Sequence, residues 1–377
     1  MTCVRDIVGW LEDAYPPALA EDWDRVGLSV GDPEAAVTDV LFAVEVTDAV
    51  VAQAIEVGAE LIVAHHPLLL RGVHAVRVDE PKGRVVTALI RAGIAVFSAH
   101  TNADSAEGGV ADCLADVLSL TDRRPLTPVP APPTDKLVTF VPAEHVDALV
   151  AALSAAGAGT IGGYDGCAFT SAGEGRYTPG VGTRPLIGAV GTEERTPEVR
   201  IEMVLPRACR GAVVTALRGV HPYDEPAYDV YPLASEASAR GLGRIGRLPA
   251  PLPARAVAGL LADAVPATAG GVKLGGDPER TIETVALVGG AGDSLLDAAR
   301  AAGVDCYVTG DLRHHPAQDF LAHADAPALI DVPHWAAEWL WLPAAERVLA
   351  AAASEAGVTI RSTLSRINTD PWALRLP

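Results

Sequence analysis

No CxxC pair occurs in the sequence, and its five cysteines, Cys3, Cys113, Cys167, Cys209 and Cys306, are scattered and odd in number. That excludes a disulfide framework and a thiolate zinc site and points to a reducing compartment. No apolar run reaches membrane-spanning length. The opening stretch MTCVRDIVGWLEDAYP reads as an amphipathic helix with acids in it and lacks the apolar block of a signal peptide. The expected location is therefore the cytoplasm, with no membrane partner. Basic charge is also scarce: 29 Lys and Arg stand against 48 Asp and Glu, a formal charge of −19. Such a surface repels phosphate backbones and anionic lipid, so nucleic acid is not an expected partner. An anionic small substrate stays compatible, because a bound divalent ion reverses the local field. What the sequence does have is length and apolar content: 377 residues, 49% of them hydrophobic, sufficient for two or three domains.

Prolines 125, 128, 130, 132 and 133 mark a stretch read as a linker, and a second Gly/Pro-rich stretch runs from Gly241 to Pro253. Between them the pattern reads as strand Lys136–Val141, helix Glu144–Ala156, strands around Tyr164–Thr170 and Val199–Leu205, helix Ala208–Arg218 and strand Ala227–Tyr231. The order βαββαβ predicts an inserted ferredoxin-like domain over residues 134–235. The flanks, 1–130 and 240–377, repeat one another. Val40–Val46 and Thr284–Gly289 are apolar strands, followed by helices Asp48–Val57 and Ser294–Ala302, each closed by a glycine (Gly58, Gly303). Buried-type strands ELIVA and DCYVT come next, then IAVFSAHTNAD and PALIDVPHWAAE. The expected fold class is α/β: two related β-α-β halves forming a split domain with mainly parallel sheets and polar residues at the carboxyl ends of the strands, plus the insert.

Those strand ends carry the chemistry. At the mouth of the first stands His65-His66-Pro67; at the equivalent point of the second stands Gly310-Asp311, with His314-His315-Pro316 beyond. The third strands both finish in His-x-x-x-carboxylate, His100 with Asp104 and His334 with Glu338. Taken singly, an HHP turn or an i,i+4 helix pair is an ordinary surface feature. Jointly, His65, His66, His334, Asp104 and Glu338 supply the nitrogen and oxygen ligands that borderline divalent metals accept. Shared between two ions, they leave positions open for water, as catalytic sites do. His100 and Asp311 are expected to orient ligands or water, and His315 is a candidate acid or base against the alternative of a solvated loop histidine. In Glu21–Leu28 core packing explains most of the pattern, though its acids could face the site. Gly270-Gly271 and Gly289-Gly290-Ala291-Gly292 fit no dinucleotide or P-loop register and read as turns. His221-Pro222-Tyr223-Asp224-Glu225-Pro226 reads as a rigid turn in the insert.

The runs WDRVGL, TDAVVAQAIEVGAELIVAHHPLL, AHTNAD, TGDLRHH and IDVPHWAAE resemble the type 2 GTP cyclohydrolase I homologues, the Nif-three-like dinuclear metal centre proteins, over essentially the whole chain. The inserted segment is similar to the PII-like or CutA-like domain of the longer members. The resemblance implies metal ligation at His65, His66, Asp104, His334 and Glu338, with Glu338 bridging, and assembly as a toroidal homohexamer. Pro333, Glu45 and Arg25 depart from the family's usual glycine, aspartate and asparagine; none removes a ligand.

The expected function is that of a metal-dependent hydrolase holding two divalent ions per subunit (Zn, Mn, Fe, Co or Ni, with zinc leading). Glu338, His100 and His315 are the expected catalytic groups. Its substrate would be a small molecule, GTP or another anionic metabolite; the family name implies ring opening of GTP with release of formate. The alternatives are a phosphoesterase-type metallohydrolase and a non-catalytic metal-delivery or regulatory protein.

Overall fold

The structure, a computed structural model, describes residues 2–234 and 238–376. Met1, Ser235 and Pro377, which bound the expected segments, lie outside the described residues. The chain divides into two compact units, Met1–Val129 with Ser238–Pro377, and Pro130–Ala237.

The first unit opens with α1 (Val4–Ala14), β1 (Gly27–Val30), β2 (Asp39–Ala43), α2 (Asp48–Val57), β3 (Leu61–Ala64) and α3 (Pro81–Ala92). It continues with β4 (Ala95–Ser98), α4 (Thr101–Ser105), α5 (Val110–Val117), β5 (Thr121–Arg124) and β6 (Thr127–Pro128). The second unit holds β7 (Thr134–Val141), α6 (Val146–Ala155), β8 (Phe169–Tyr177), β9 (Glu194–Pro206), α7 (Arg210–Val220) and β10 (Tyr228–Pro232). The chain then returns to the first unit with β11 (Gly241–Leu242), β12 (Arg244–Pro253), α8 (Ala254–Ala264), β13 (Lys273–Gly275), β14 (Thr281–Ala291) and α9 (Leu296–Ala301). It ends with β15 (Cys306–Gly310), α10 (His314–Leu321), β16 (Ala328–Asp331), α11 (His334–Trp339), α12 (Leu342–Glu355) and β17 (Arg361–Leu364).

Local chemistry sets many of these boundaries. Thr47 accepts a hydrogen bond from the Val50 amide to cap α2, which ends where Gly58 takes a left-handed φ of +72°. All four residues of β3 are buried, as a central parallel strand covered on both faces requires.

The first sheet has the order β1-β4-β3-β2-β17, in which only β1 runs antiparallel. The second has the order β13-β16-β15-β14-β12-β5. Here only the β14–β15 and β15–β16 pairs are parallel, so the expected mainly parallel architecture fails in this sheet. The cause is β12, which arises within the Gly/Pro-rich stretch taken as a boundary. It pairs antiparallel with β14 through a register shift between Arg247 and Leu252. Pro249 and Pro251 fall inside that irregular span, where a missing N–H breaks no ladder bond. The linker expected over residues 125–133 holds at 129–133, where the two units divide, but not at its start. Thr127–Pro128 pairs with Gly241–Leu242, and the flanking Leu126 and Val129 amides donate the bonds that Pro128 cannot.

The two halves exchange their ends. Strand β17 of the second half extends the first sheet beside β2, and β5 of the first half closes the second sheet beside β12. Helices follow the same rule: Trp335, Trp341, Leu342 and Leu349 lie in the core of the first sheet, whereas Ala111, Leu114 and Leu118 from the first half fill the core beneath the second. Arg244, only 2% exposed, locks the exchange by donating to both Asp112 carboxylate oxygens at 2.9 and 2.8 Å and to the Ala106, Gly241 and Gly243 carbonyls.

The second unit is an antiparallel sheet in the order β10-β7-β9-β8 with α6 and α7 packed on it through Leu149, Leu153, Val213 and Leu217. The strand expected around Tyr164–Thr170 lies instead at Phe169–Tyr177. Gly162 and Gly166 adopt φ of +57° and +68°, which turns the chain through Tyr164 before the strand can start.

Candidate metal centre

The ladder of β3 runs on past its end: the His65 and His66 amides donate to the Ala43 and Val44 carbonyls at 3.1 and 2.8 Å. Pro67 then offers no donor, the pairing stops, and the chain bends with both imidazoles at the carboxyl end of the sheet. On the opposite half, Pro333 caps α11, so His334 and Glu338 sit one turn apart on the same face.

Four imidazoles converge, and each has one ring nitrogen held at an oxygen. His65 Nδ1 meets the Ala99 carbonyl at 2.8 Å, His66 Nδ1 the Glu45 carboxylate at 3.1 Å, His100 Nδ1 the Asp24 carboxylate at 2.8 Å and His334 Nδ1 the Asp311 carboxylate at 2.8 Å. An oxygen acceptor fixes the proton on Nδ1 and leaves the Nε2 lone pair to point inward, the arrangement that metal-ligating histidines adopt. Glu338, 2% exposed, lies at the middle. Its Oε1 is 2.8 Å from His334 Nε2 and 3.4 Å from His65 Nε2, and its Oε2 is 2.9 Å from His66 Nε2. Asp104 Oδ1 lies 3.7 Å from His65 Nε2. Two overlapping groups have donor atoms within 4.8 Å of one another: His65, His66 and His100, and His66, His334 and Glu338.

Electrostatics shows a cluster in need of positive charge. Burial first, and the Glu338 carboxylate second, push the Asp104 pKa up to about 7. Burial opposes charge on His66 and His334, yet Glu338, joined by Glu45 at His66 and by Asp311 at His334, outweighs it and raises them to about 10 and about 11. Glu338 itself is drawn well below its ordinary value by the surrounding imidazoles, against its own burial. Burial likewise works against the Asp24 charge, but hydrogen bonds from His100 and Thr101 hold its carboxyl far below the usual range. His65 Nε2 and Asp104 Oδ1 are buried without a hydrogen-bond partner among the described residues, and Glu338 Oε2, though 2.9 Å from His66 Nε2, is not aligned for a hydrogen bond with it. Buried polar atoms are rarely left so. An imidazole nitrogen and two carboxylate oxygens facing one another are the donor set for a divalent cation, so the residues fit a metal.

The five residues expected as ligands, His65, His66, Asp104, His334 and Glu338, are thus brought together, and His100 stands with them. His315 is not: it is exposed on the first turn of α10, where its ring packs edge-on against His314 at 5.1 Å. The pairing of His100 with His334 across the repeat is corrected by one residue. Strand register aligns Ser98 with Asp331, so His100 is the counterpart of Pro333, both being helix caps, and His334 that of Thr101.

Among the acids of Glu21–Leu28 that could face the site, Asp24 is the one that does, anchoring His100 and accepting from the Thr101 amide and hydroxyl at 3.0 and 2.5 Å. Other supporting residues escaped the sequence reading. Gly290, read as part of a turn, is in β14 at φ +69°, and a Cβ there would lie 2.5 Å from Glu338 Oε1 and 3.1 Å from His334 Nε2. Its only sequence signal was the surrounding run of glycines. Thr369, which donates to the Glu45 carboxylate, had no signal.

The comparisons with known proteins accord with this geometry. A protein of Mycobacterium tuberculosis named GTP cyclohydrolase 1 type 2 homolog is 48% identical over 372 residues, covering 98% of this chain and 97% of its own length. Its Bacillus subtilis namesake is 36% identical over 368 residues, covering 98% and 97%. The crystal structure of a Bacillus cereus protein related to NIF3 superposes with a TM-score of 0.77 at 34% identity, covering 99% of both chains. Staphylococcus aureus protein SA1388 gives 0.83 at 28% identity, covering 99% of this chain and 98% of its own. With residues 2–371 matching the Duf34/NIF3 (NGG1p interacting factor 3) profile, the chain belongs to the DUF34/NIF3 family.

Proposed function

We propose that this protein is a dinuclear metallohydrolase. The observation that carries the reading is the convergence of inward-facing Nε2 atoms on two buried carboxylates, one of which, Glu338, touches histidines of both donor groups. His65, His66, Asp104, His334 and Glu338 would hold two divalent ions, zinc leading, and such ions would supply Lewis acidity for hydrolysis near neutral pH. The chain's own residues do the remaining work. Asp24 fixes the His100 tautomer so that Nε2 can accept a proton at the pocket, and Glu45 and Asp311 hold His66 and His334 in orientation.

The substrate we assign is GTP or a related anionic heterocycle, on the strength of the relatives' names and the donor set together. The surrounding architecture is read as a split α/β domain with a ferredoxin-like, PII-like insert, assembled as a homohexamer in the cytoplasm. Elemental analysis of protein purified without added metal should find two ions per subunit. Metal-loaded protein should release formate from GTP, and Glu338→Ala should abolish release while leaving the oligomer intact by light scattering. Protein that binds two ions but passes them to an apo-enzyme, and turns over neither GTP nor a phosphoester, would replace this reading with metal delivery.

A further inference from the structure

Beyond β17 the chain has no regular secondary structure among the described residues, yet it is pinned at successive points. Asn368 donates from Nδ2 to the Ala267 carbonyl at 3.3 Å and accepts from the Asp370 amide at 2.9 Å. Asp370 in turn accepts from the Trp372 amide at 2.9 Å. Between them Thr369 donates to Glu45, the carboxylate that holds His66. The tail is thereby tied to the metal centre itself.

Its far end walls a cavity of about 890 Å³ that opens onto His66 and His334 and includes Trp372 and Arg375. That volume is within the range of small-molecule sites, roughly 300–1,000 Å³. The acids of the wall are engaged: Glu45 by His66 and Thr369, Asp311 by His334, Asp331 by Lys273 and Asp370 by the tail amide. Arg375 has no carboxylate within 4 Å among the described residues, and Trp372 leaves 68% of its surface exposed. In a chain of net charge −19, a guanidinium without a carboxylate partner among the described residues and an open indole beside the histidine–carboxylate cluster form a distinct chemical surface. A guanidinium pairs with phosphate or carboxylate oxygens, and an indole face stacks on a planar ring.

We propose that the tail is the substrate-recognition wall of the metal cavity, with Trp372 stacking on a heteroaromatic ring and Arg375 holding an anionic group of the same molecule. The ligand class is a nucleotide or similar heteroaromatic phosphate. The inference rests on the proposed hydrolase reading only for the choice of GTP as its probe.

The test is calorimetric binding to the full-length protein as purified, with GTP, guanosine and inorganic triphosphate as separate probes and metal content measured for every variant. Arg375→Ala should weaken GTP and triphosphate roughly tenfold and leave guanosine unchanged. Trp372→Ala should weaken GTP and guanosine roughly tenfold and leave triphosphate unchanged, and Trp372→Phe should restore most of the loss. Metal content should match the parent throughout. If that split appears without GTP turnover, the recognition wall stands and the GTP hydrolase reading falls. If GTP binds or turns over equally in the parent and both alanine variants, or if none of the three probes binds, the recognition wall is overturned.

Discussion

The two halves of the first unit use the same succession of elements and place different residues at equivalent points. After β3 comes His65-His66; at the equivalent point of the second half β15 ends on Gly310 and Asp311 follows. In the first half both positions aim imidazoles at the cluster. In the second, Asp311 orients His334, and Gly310 leaves no room for a side chain, since a Cβ would lie 2.7 Å from the Val332 carbonyl and 3.0 Å from that of Gly290. Two runs with the same order of elements thus supply two strand ends, one mainly a source of donors and the other a mixture of donor and support.

The comparison is broken most severely by separating the halves. Arg244→Ala removes a buried guanidinium from half-buried Asp112 and from three backbone carbonyls, and the loss of those hydrogen bonds should cost about 3–5 kcal/mol, read as a lowered midpoint in denaturant melts of both metal-free and loaded protein. Removing the group shared by the two sides comes next. Glu338→Ala should lower metal affinity by more than the roughly 100-fold ascribed to supporting residues, measured by chelator competition.

The supports themselves sharpen the contrast. Glu45→Gln and Asp311→Asn each keep the shape but lose the charge beside an Nδ1–H, and each should weaken metal binding by about 10–100-fold. Equal losses would show the two sides to be equivalent in support; a loss at one position only would show that a single half organises the centre. Gly290→Ala should cost about 1–3 kcal/mol for its left-handed backbone and perturb the His334 side selectively, visible as altered metal stoichiometry with the fold retained by circular dichroism.

The smallest effect is a pH slope in the metal-free chain. Asp104 is raised to about 7, and His66 and His334 to about 10 and 11, so across neutral pH the folded chain holds more protons than the unfolded one. The Asp104 contribution is present in acid and lost as pH rises through about 7; the histidine contributions begin to fall above their unfolded value and vanish through about 10–11. Melting temperature after chelation should therefore decline from pH 6 to pH 9. Loaded protein should decline less, because cations replace those protons. A chelated protein that grew more stable over that range would contradict the assigned shifts.

Much of this was legible beforehand because it is written in short-range patterns. The buried strand LIVA followed by His65-His66-Pro67 announces both its burial and the point where pairing stops. Helix α2 falls at the residues its cap and closing glycine mark. The prolines of β12 and β6 misled, since a missing donor forbids a strand only where the ladder needs that donor. Asp24 was marked only as one of several acids, and Gly290 was obscure, because their partners, His100 and Glu338, are far away in sequence, and Thr369 because a hydroxyl in an irregular tail resembles any other.

The sequence by itself determined the donors: residue types and their position at strand ends and helix starts. Only the tertiary structure decided that β5 and β17 change sheets, that Glu338 reaches histidines of the other half and that the tail closes on Glu45. Local pattern is set by side-chain periodicity and backbone geometry within a few residues, whereas these contacts depend on which apolar faces bury one another once the whole chain has collapsed.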